Sequence, residues 1–414
     1  MLRRIPVWFA LLALALGLVA CGEDEKAKAP AAATPGATAL VFTVQVDAKV
    51  PVNNVAFAAY FPKEVKAHAG ETVEFKVADR GEPHTVTLGT LVDAAAAAIG
   101  RAPAADKPKV AELQKLPELI PATGGDAIQT AAQPCYLESG ALPAGGAACA
   151  KAQQQQPEFN GKQAYYNSGW LSAEKAFVLK LSKDILPGNY AVICLLHRDT
   201  MLGTITILAP PQIGPSPADV TKAGTAELED KLTKLRPAID AVLKGTAAVA
   251  FAGNIAATVP DGLVSEFGPK ELAIKVDETV TWNVLGKHTI SFNAPKDAKG
   301  LRQNAPDGSV HVNMKSVAPE NSPGQAAAVK PAATPAATPA ATPAAGATPT
   351  TPPPPPPAKI DGGKWDGTGF KSSGSIRSLP GDRYSYSVTF TKAGTYQFTC
   401  LLHDRMEGTV KVGS

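Results

Sequence analysis

The stretch Gly188-Asn189-Tyr190-Ala191-Val192-Ile193-Cys194-Leu195-Leu196-His197 leads, after three intervening residues, to Met201-Leu202-Gly203-Thr204-Ile205. It returns near the end of the chain as Gly394-Thr395-Tyr396-Gln397-Phe398-Thr399-Cys400-Leu401-Leu402-His403, then Met406-Glu407-Gly408-Thr409-Val410. Working outward, the match continues upstream. Phe61-Pro62-Lys63-Glu64-Val65 pairs with Gly268-Pro269-Lys270-Glu271-Leu272, His84-Thr85-Val86 with His288-Thr289-Ile290, and Ser168-Gly169 with Ser373-Gly374. The separations all lie between 204 and 207 residues. One nearly constant shift over four motifs means two copies of one unit.

Each copy reads as all-β. Residues 71–77, 176–181, 204–208 and 384–390 alternate between apolar and polar side chains, with Gly and Pro between the runs. Short strands punctuated in this way predict a sandwich or small barrel. Each copy carries a long excursion before its Ser-Gly turn, at about 89–163 in the first and about 294–366 in the second. The first contains a helix-prone patch at 91–99, and the second an Ala/Thr/Pro tract at 325–358 that cannot pack a core. The division expected is 39–210 for the first unit, 211–246 for a helical connector and 247–414 for the second unit.

The metal-capable residues are His84, Cys194, His197 and Met201 in the first copy, and His288, Cys400, His403 and Met406 in the second. Cys at a strand end with His and Met on the following turn lets one loop aim three donors at one point. The upstream His must come from a neighbouring strand. Two imidazoles, a thiolate and a weak axial thioether suit copper, whereas zinc is poorly served by Met.

These residues resemble the cupredoxins, the family of plastocyanin, amicyanin and azurin. The resemblance covers about two thirds of the 414 residues once the insertions are set aside. It implies two Greek-key β-sandwiches, a type 1 copper site in each and one-electron chemistry, with ligand roles for all eight residues. It further implies His197 and His403 as electron ports, with Leu195, Leu196, Leu401 and Leu402 as an apolar docking surface. The chain departs from the family in its longer insertions and in the unequal spacing from His to Met. Oxidases and nitrite reductases of related architecture need additional histidines. Here there is no His-x-His, and Ile193 and Thr399 precede the two cysteines. His68 and His311 remain, and solvent exposure is expected of both. A non-enzymatic electron carrier is therefore expected, working with a redox protein of the cell envelope. Copper buffering or delivery is the alternative.

The first residues set the compartment. Arg3 and Arg4 precede a 14-residue apolar run, 7–20, too short to span a bilayer comfortably. Leu18-Val19-Ala20-Cys21-Gly22 resembles the lipobox of bacterial lipoproteins. It implies removal of residues 1–20, acylation of Cys21, and a protein held to a membrane outside the cytoplasm by its lipid. Residues 21–38 are an Ala/Pro-rich spacer. With Cys21, Cys194 and Cys400 assigned, Cys135 and Cys149 remain, and an oxidising compartment predicts a disulfide between them. A net charge of +3 without a Lys/Arg stripe gives no reason to expect a nucleic-acid partner.

Overall fold

A computed structural model describes residues 39–50, 54–78, 82–97, 132–138, 149–171, 176–197, 200–246, 249–304, 310–317, 358–378 and 384–414. The signal segment, Cys21, the spacer and the Ala/Thr/Pro tract up to residue 357 lie outside the described residues.

The fold is all-β, with two layers in each repeat. In the first repeat the strand Val41–Val50 pairs antiparallel with Val55–Phe61 and parallel with Thr72–Val77, and Phe177–Lys180 closes that edge. The facing sheet runs Glu64–Ala67, Leu202–Ile207, Gly188–Ile193, Thr87–Leu88, Tyr165–Ser168, Pro134–Leu137. Between the layers lie Phe42, Val44, Tyr60, Val73, Phe75, Leu179, Val192 and Ile205, all buried. The alternating burial of Thr72–Val77 shows why: every second side chain enters this core.

The second repeat reproduces the plan. Ala250–Ala256 pairs antiparallel with Val259–Gly268 and parallel with Thr279–Val284. Glu271–Lys275 lies parallel to Glu407–Gly413, as Glu64–Ala67 does to Leu202–Ile207. Trp282, Phe292, Tyr386, Phe390 and Phe398 fill its core with edge-on and stacked rings. The strand Ala358–Trp365 falls inside the stretch read from sequence as insertion, yet it pairs with Tyr384–Phe390. Its register slips between Asp361 and Lys364 around Gly362-Gly363, which breaks the alternation that would have announced it.

The two copies are joined along one sheet. Val55–Phe61 of the first pairs with Val259–Gly268 of the second, which makes a single nine-stranded sheet across both. The helix Pro217–Leu243 lies over this junction. Ser216 caps it, its hydroxyl accepting from the Asp219 N–H, and Pro217 occupies the first turn, where no N–H is needed. Leu235, Ala238, Ile239 and Val242 bury against Val55, Phe57, Phe61, Val259 and Val264 from both copies. Among the described residues no helix is long and apolar enough to cross a membrane.

Candidate metal centres

In each repeat two elements meet at the end of the sandwich. The strand Gly188–Ile193 delivers Cys194, and the loop after it delivers His197 and Met201. The segment before Thr87–Leu88 delivers His84. The Ser-Gly turn fixes that segment: the Val86 N–H donates to Ser168 Oγ at 2.8 Å, and the Leu171 N–H donates to the His84 carbonyl. In the second copy the Ile290 N–H donates to Ser373 Oγ at 2.9 Å. Gly169 and Gly374 take φ of 73° and 71°, so the repeated glycine is a conformational requirement.

The structure brings His84, Cys194 and His197 together, and likewise His288, Cys400 and His403. His84 Nδ1 and His197 Nδ1 stand 3.9 Å and 3.6 Å from Cys194 Sγ. His288 Nδ1 and His403 Nδ1 stand 3.9 Å and 3.3 Å from Cys400 Sγ. A first-row metal in a trigonal plane, bonded to sulfur at about 2.3 Å and to nitrogen at about 2.05 Å, holds the two donors roughly 3.8 Å apart. These separations bracket that value, so the donor set fits a copper ion. Met201 and Met406 are fully buried, and their carbonyls accept the N–H of Cys194 and Cys400, which folds each loop back over its cysteine.

Both thiols are prepared for ionisation. Burial opposes it, but contacts with His197 and His84 outweigh burial and hold Cys194 well below the ordinary thiol range. His403 and His288 do the same for Cys400. The residue after each upstream histidine adds a further contact. The Thr85 N–H points at Cys194 Sγ from 3.5 Å and the Thr289 N–H at Cys400 Sγ from 3.4 Å. Their hydroxyls accept from the N–H of Leu195 and Leu401 at 2.9 Å and 2.7 Å. The threonine thus locks the cysteine loop to the histidine strand. The repetition of His-Thr was visible in the sequence; its role was not.

The copies differ in what stands behind the upstream histidine. His84 Nε2 contacts Asp47 Oδ2 at 2.7 Å, and both residues are buried. Asp47 Oδ1 accepts from the N–H groups of Ala48 and Phe57. Burial disfavours a charged His84, but the Asp47 carboxylate overrides it and leaves the ring more basic than usual. Asp47 occupies a bulge at φ 62°. The matching bulge in the second copy holds Gly253 at φ 73°, where a Cβ would lie 2.0 Å from His288 Nε2. That nitrogen has no well-formed hydrogen bond among the described residues, and burial lowers the basicity of His288.

His197 and His403 do not point into open solvent. They converge on one carboxylate, Glu82, whose Oε2 lies 2.9 Å from His197 Nε2 and whose Oε1 lies 3.4 Å from His403 Nε2. Burial pulls both rings towards neutrality, but Cys194 and Glu82 bring His197 up to about 9, and Cys400 and Glu82 bring His403 up to about 10. The expected leucine docking surface is not there. Leu195, Leu401 and Leu402 are buried, and Leu196 packs against the cores of both copies. Part of the reason is the junction: the two loop histidines meet at Glu82, and Leu196 reaches the second core as well as its own. His68 is half-buried, with Nε2 against the Gln212 carbonyl at 2.9 Å, and His311 is half-buried in the strand Val310–Val312. Cys135 and Cys149 form a disulfide with Cα atoms 5.9 Å apart.

Neither a family model nor a curated protein matches the chain. Solved structures similar to it include a mutant plastocyanin of a fern, at 17% identity, covering 40% of this chain and 99% of that one with a TM-score of 0.19. Auracyanin from Roseiflexus castenholzii stands at 14% identity, 41% and 98% coverage and a TM-score of 0.23. A purple cupredoxin from Nitrosopumilus maritimus stands at 12% identity, 40% and 99% coverage and a TM-score of 0.18.

Proposed function

We propose that the chain is a two-centre copper protein that carries single electrons outside the cytoplasmic membrane, held there by a lipid on Cys21 and exchanging electrons with a redox protein of the envelope. It makes no chemical conversion of its own. The observation that carries this reading is the doubled donor set: a buried, readily ionised thiol with two imidazole Nδ1 atoms at 3.3–3.9 Å, built twice by the same elements. Copper held there would supply exchange of one electron between its cuprous and cupric states.

The protein's part is to hold the donors still and dry. His84, Cys194, His288 and Cys400 are each at most 2% exposed, so water is excluded from these four donors. Thr85 and Thr289 pin the cysteine loops, and their N–H groups temper the charge on each sulfur. A frame that does not rearrange keeps the cost of gaining or losing an electron small. With Nδ1 left to hold copper, Nε2 of His84, His197 and His403 would carry the proton, which Asp47 accepts from His84 and Glu82 from the other two.

Metal analysis with visible absorption tests the proposal. Two coppers per chain with intense thiolate-to-copper bands are expected. Cys194→Ser and Cys400→Ser should each keep one. A stoichiometry of one or three, or binding without those bands, overturns it.

A further inference from the structure

The two centres are not laid out as independent sites, and one side chain marks the difference. Glu82 belongs to the first repeat, two residues before His84. Its counterpart in the second repeat is Gly286, so a single carboxylate serves both copies. Its two oxygens are shared out, one to each loop histidine, at 2.9 Å and 3.4 Å. The three side chains are only 8–17% exposed. Each ring presents Nδ1 to its own cysteine and the proton on Nε2 to this carboxylate. The continuous path is Cys194, His197, Glu82, His403, Cys400, with every step a contact already given.

The surroundings hold this alignment. Leu196, between Cys194 and His197, packs against the second core, as does Trp170. Asn54 of the first repeat donates through Nδ2 to the carbonyls of Ser265 and Asp404, the latter next to His403. A histidine that served as an outward port would have its Nε2 edge in solvent; here both edges are spent on each other's neighbour.

We propose that Glu82 is a bridging residue that makes the two centres one electron-exchanging pair, with electrons passing between them inside the molecule along His197, Glu82 and His403. The step moves one electron from the reduced centre to the oxidised one. It consumes nothing else, and both Nε2 protons and the carboxylate charge stay in place. The proposal rests on the copper reading above.

The test uses the full chain loaded with two coppers in the cupric state, together with Glu82→Gln and Glu82→Ala. A pulse of a small organic radical delivers less than one electron per chain, and the visible bands are followed, with the two Cys→Ser chains giving the spectrum of each centre alone. The unmodified chain should show a redistribution phase whose rate does not depend on protein concentration, slowed about tenfold or more in Glu82→Ala. Glu82→Gln keeps the volume but offers one acceptor where two are needed, and should also be slower. A second reading is taken on Cys194→Ser, which keeps only the second centre. Adding Glu82→Ala there should move that centre's reduction potential, although Glu82 lies in the other repeat. Absence of the redistribution phase, or an unchanged rate in both Glu82 variants with two coppers still bound, overturns the bridge and leaves the copper reading standing. Failure to bind copper at all overturns both.

Discussion

At the scale of single residues the two candidate centres are alike in their His, Cys and His donors and unlike one contact further out. Asp47 backs His84 with a carboxylate, whereas the matching Gly253 puts none behind His288 Nε2. A carboxylate accepting from Nε2–H pushes electron density towards Nδ1 and favours the more positive metal state. The first centre should therefore have the lower reduction potential. Asp47→Gly should erase that difference, because glycine accepts the positive φ and removes the carboxylate behind His84, together with the acceptor of the Ala48 and Phe57 N–H groups. Cupric affinity at the first centre should fall about tenfold, and its potential should rise by about 59 mV for each tenfold lost. Spectropotentiometry on the Cys400→Ser chain reads this directly; an unchanged or lowered potential would refute it. Histidine and cysteine in these positions were legible in the sequence because they repeat. Asp47 and Glu82 were not, for the same reason inverted: their counterparts are Gly253 and Gly286, so comparison of the copies hides them.

At the scale of elements, the short helix Thr90–Ala96 packs on the strand that delivers Cys194. Asp93, half-buried, accepts the Ala191 N–H at 2.7 Å. Burial, only partly offset by that hydrogen bond, pushes its carboxyl up to about 6. The folded chain then binds this proton more tightly than the unfolded one, whose Asp titrates near 4. Stability from this group is present below that lower value and is lost as pH rises through about 6. Asp93→Asn keeps an acceptor for Ala191 and removes the charge. It should stabilise the fold at pH 7 by about 1–3 kcal/mol and give no gain at pH 4. Urea melts at the two pH values check this, and an equal effect at both would exclude burial of the charge as the cause. The helix-prone patch was foreseeable from composition. Its placement behind Gly188–Ile193 was not, since it depends on a contact between residues 98 positions apart.

At the scale of the whole molecule, the repeats share a sheet through Val55–Phe61 and Val259–Gly268, with the helix Pro217–Leu243 over the seam. Opening either repeat exposes the apolar face of the other. Calorimetry should accordingly show one cooperative transition for residues 39–414; two separated transitions would contradict the shared sheet. Leu235→Ala, at a fully buried position on the seam, should cost about 2–5 kcal/mol and move that whole transition rather than split it.

The sequence alone determined the strand character, and it displayed the repeated motifs and the candidate donor residues that recur in them. Alternation, constant offset and the Cys-Leu-Leu-His run are local or pairwise properties that a chain displays in one dimension. It also named Cys135 and Cys149 as partners, by count and compartment, and the structure joins them. Only the tertiary structure decided that the sites confront each other across Glu82, that Leu195, Leu401 and Leu402 are interior, and that Ala358–Trp365 belongs to the main sheet. Those facts depend on how two sandwiches pair edge to edge. That pairing is fixed by the burial of Val55, Phe57, Val259 and Val264 beneath one helix. Apolar burial has no direction along the chain, so no spacing rule carries it, and the contacts it enforces appear only once the chain has closed on itself.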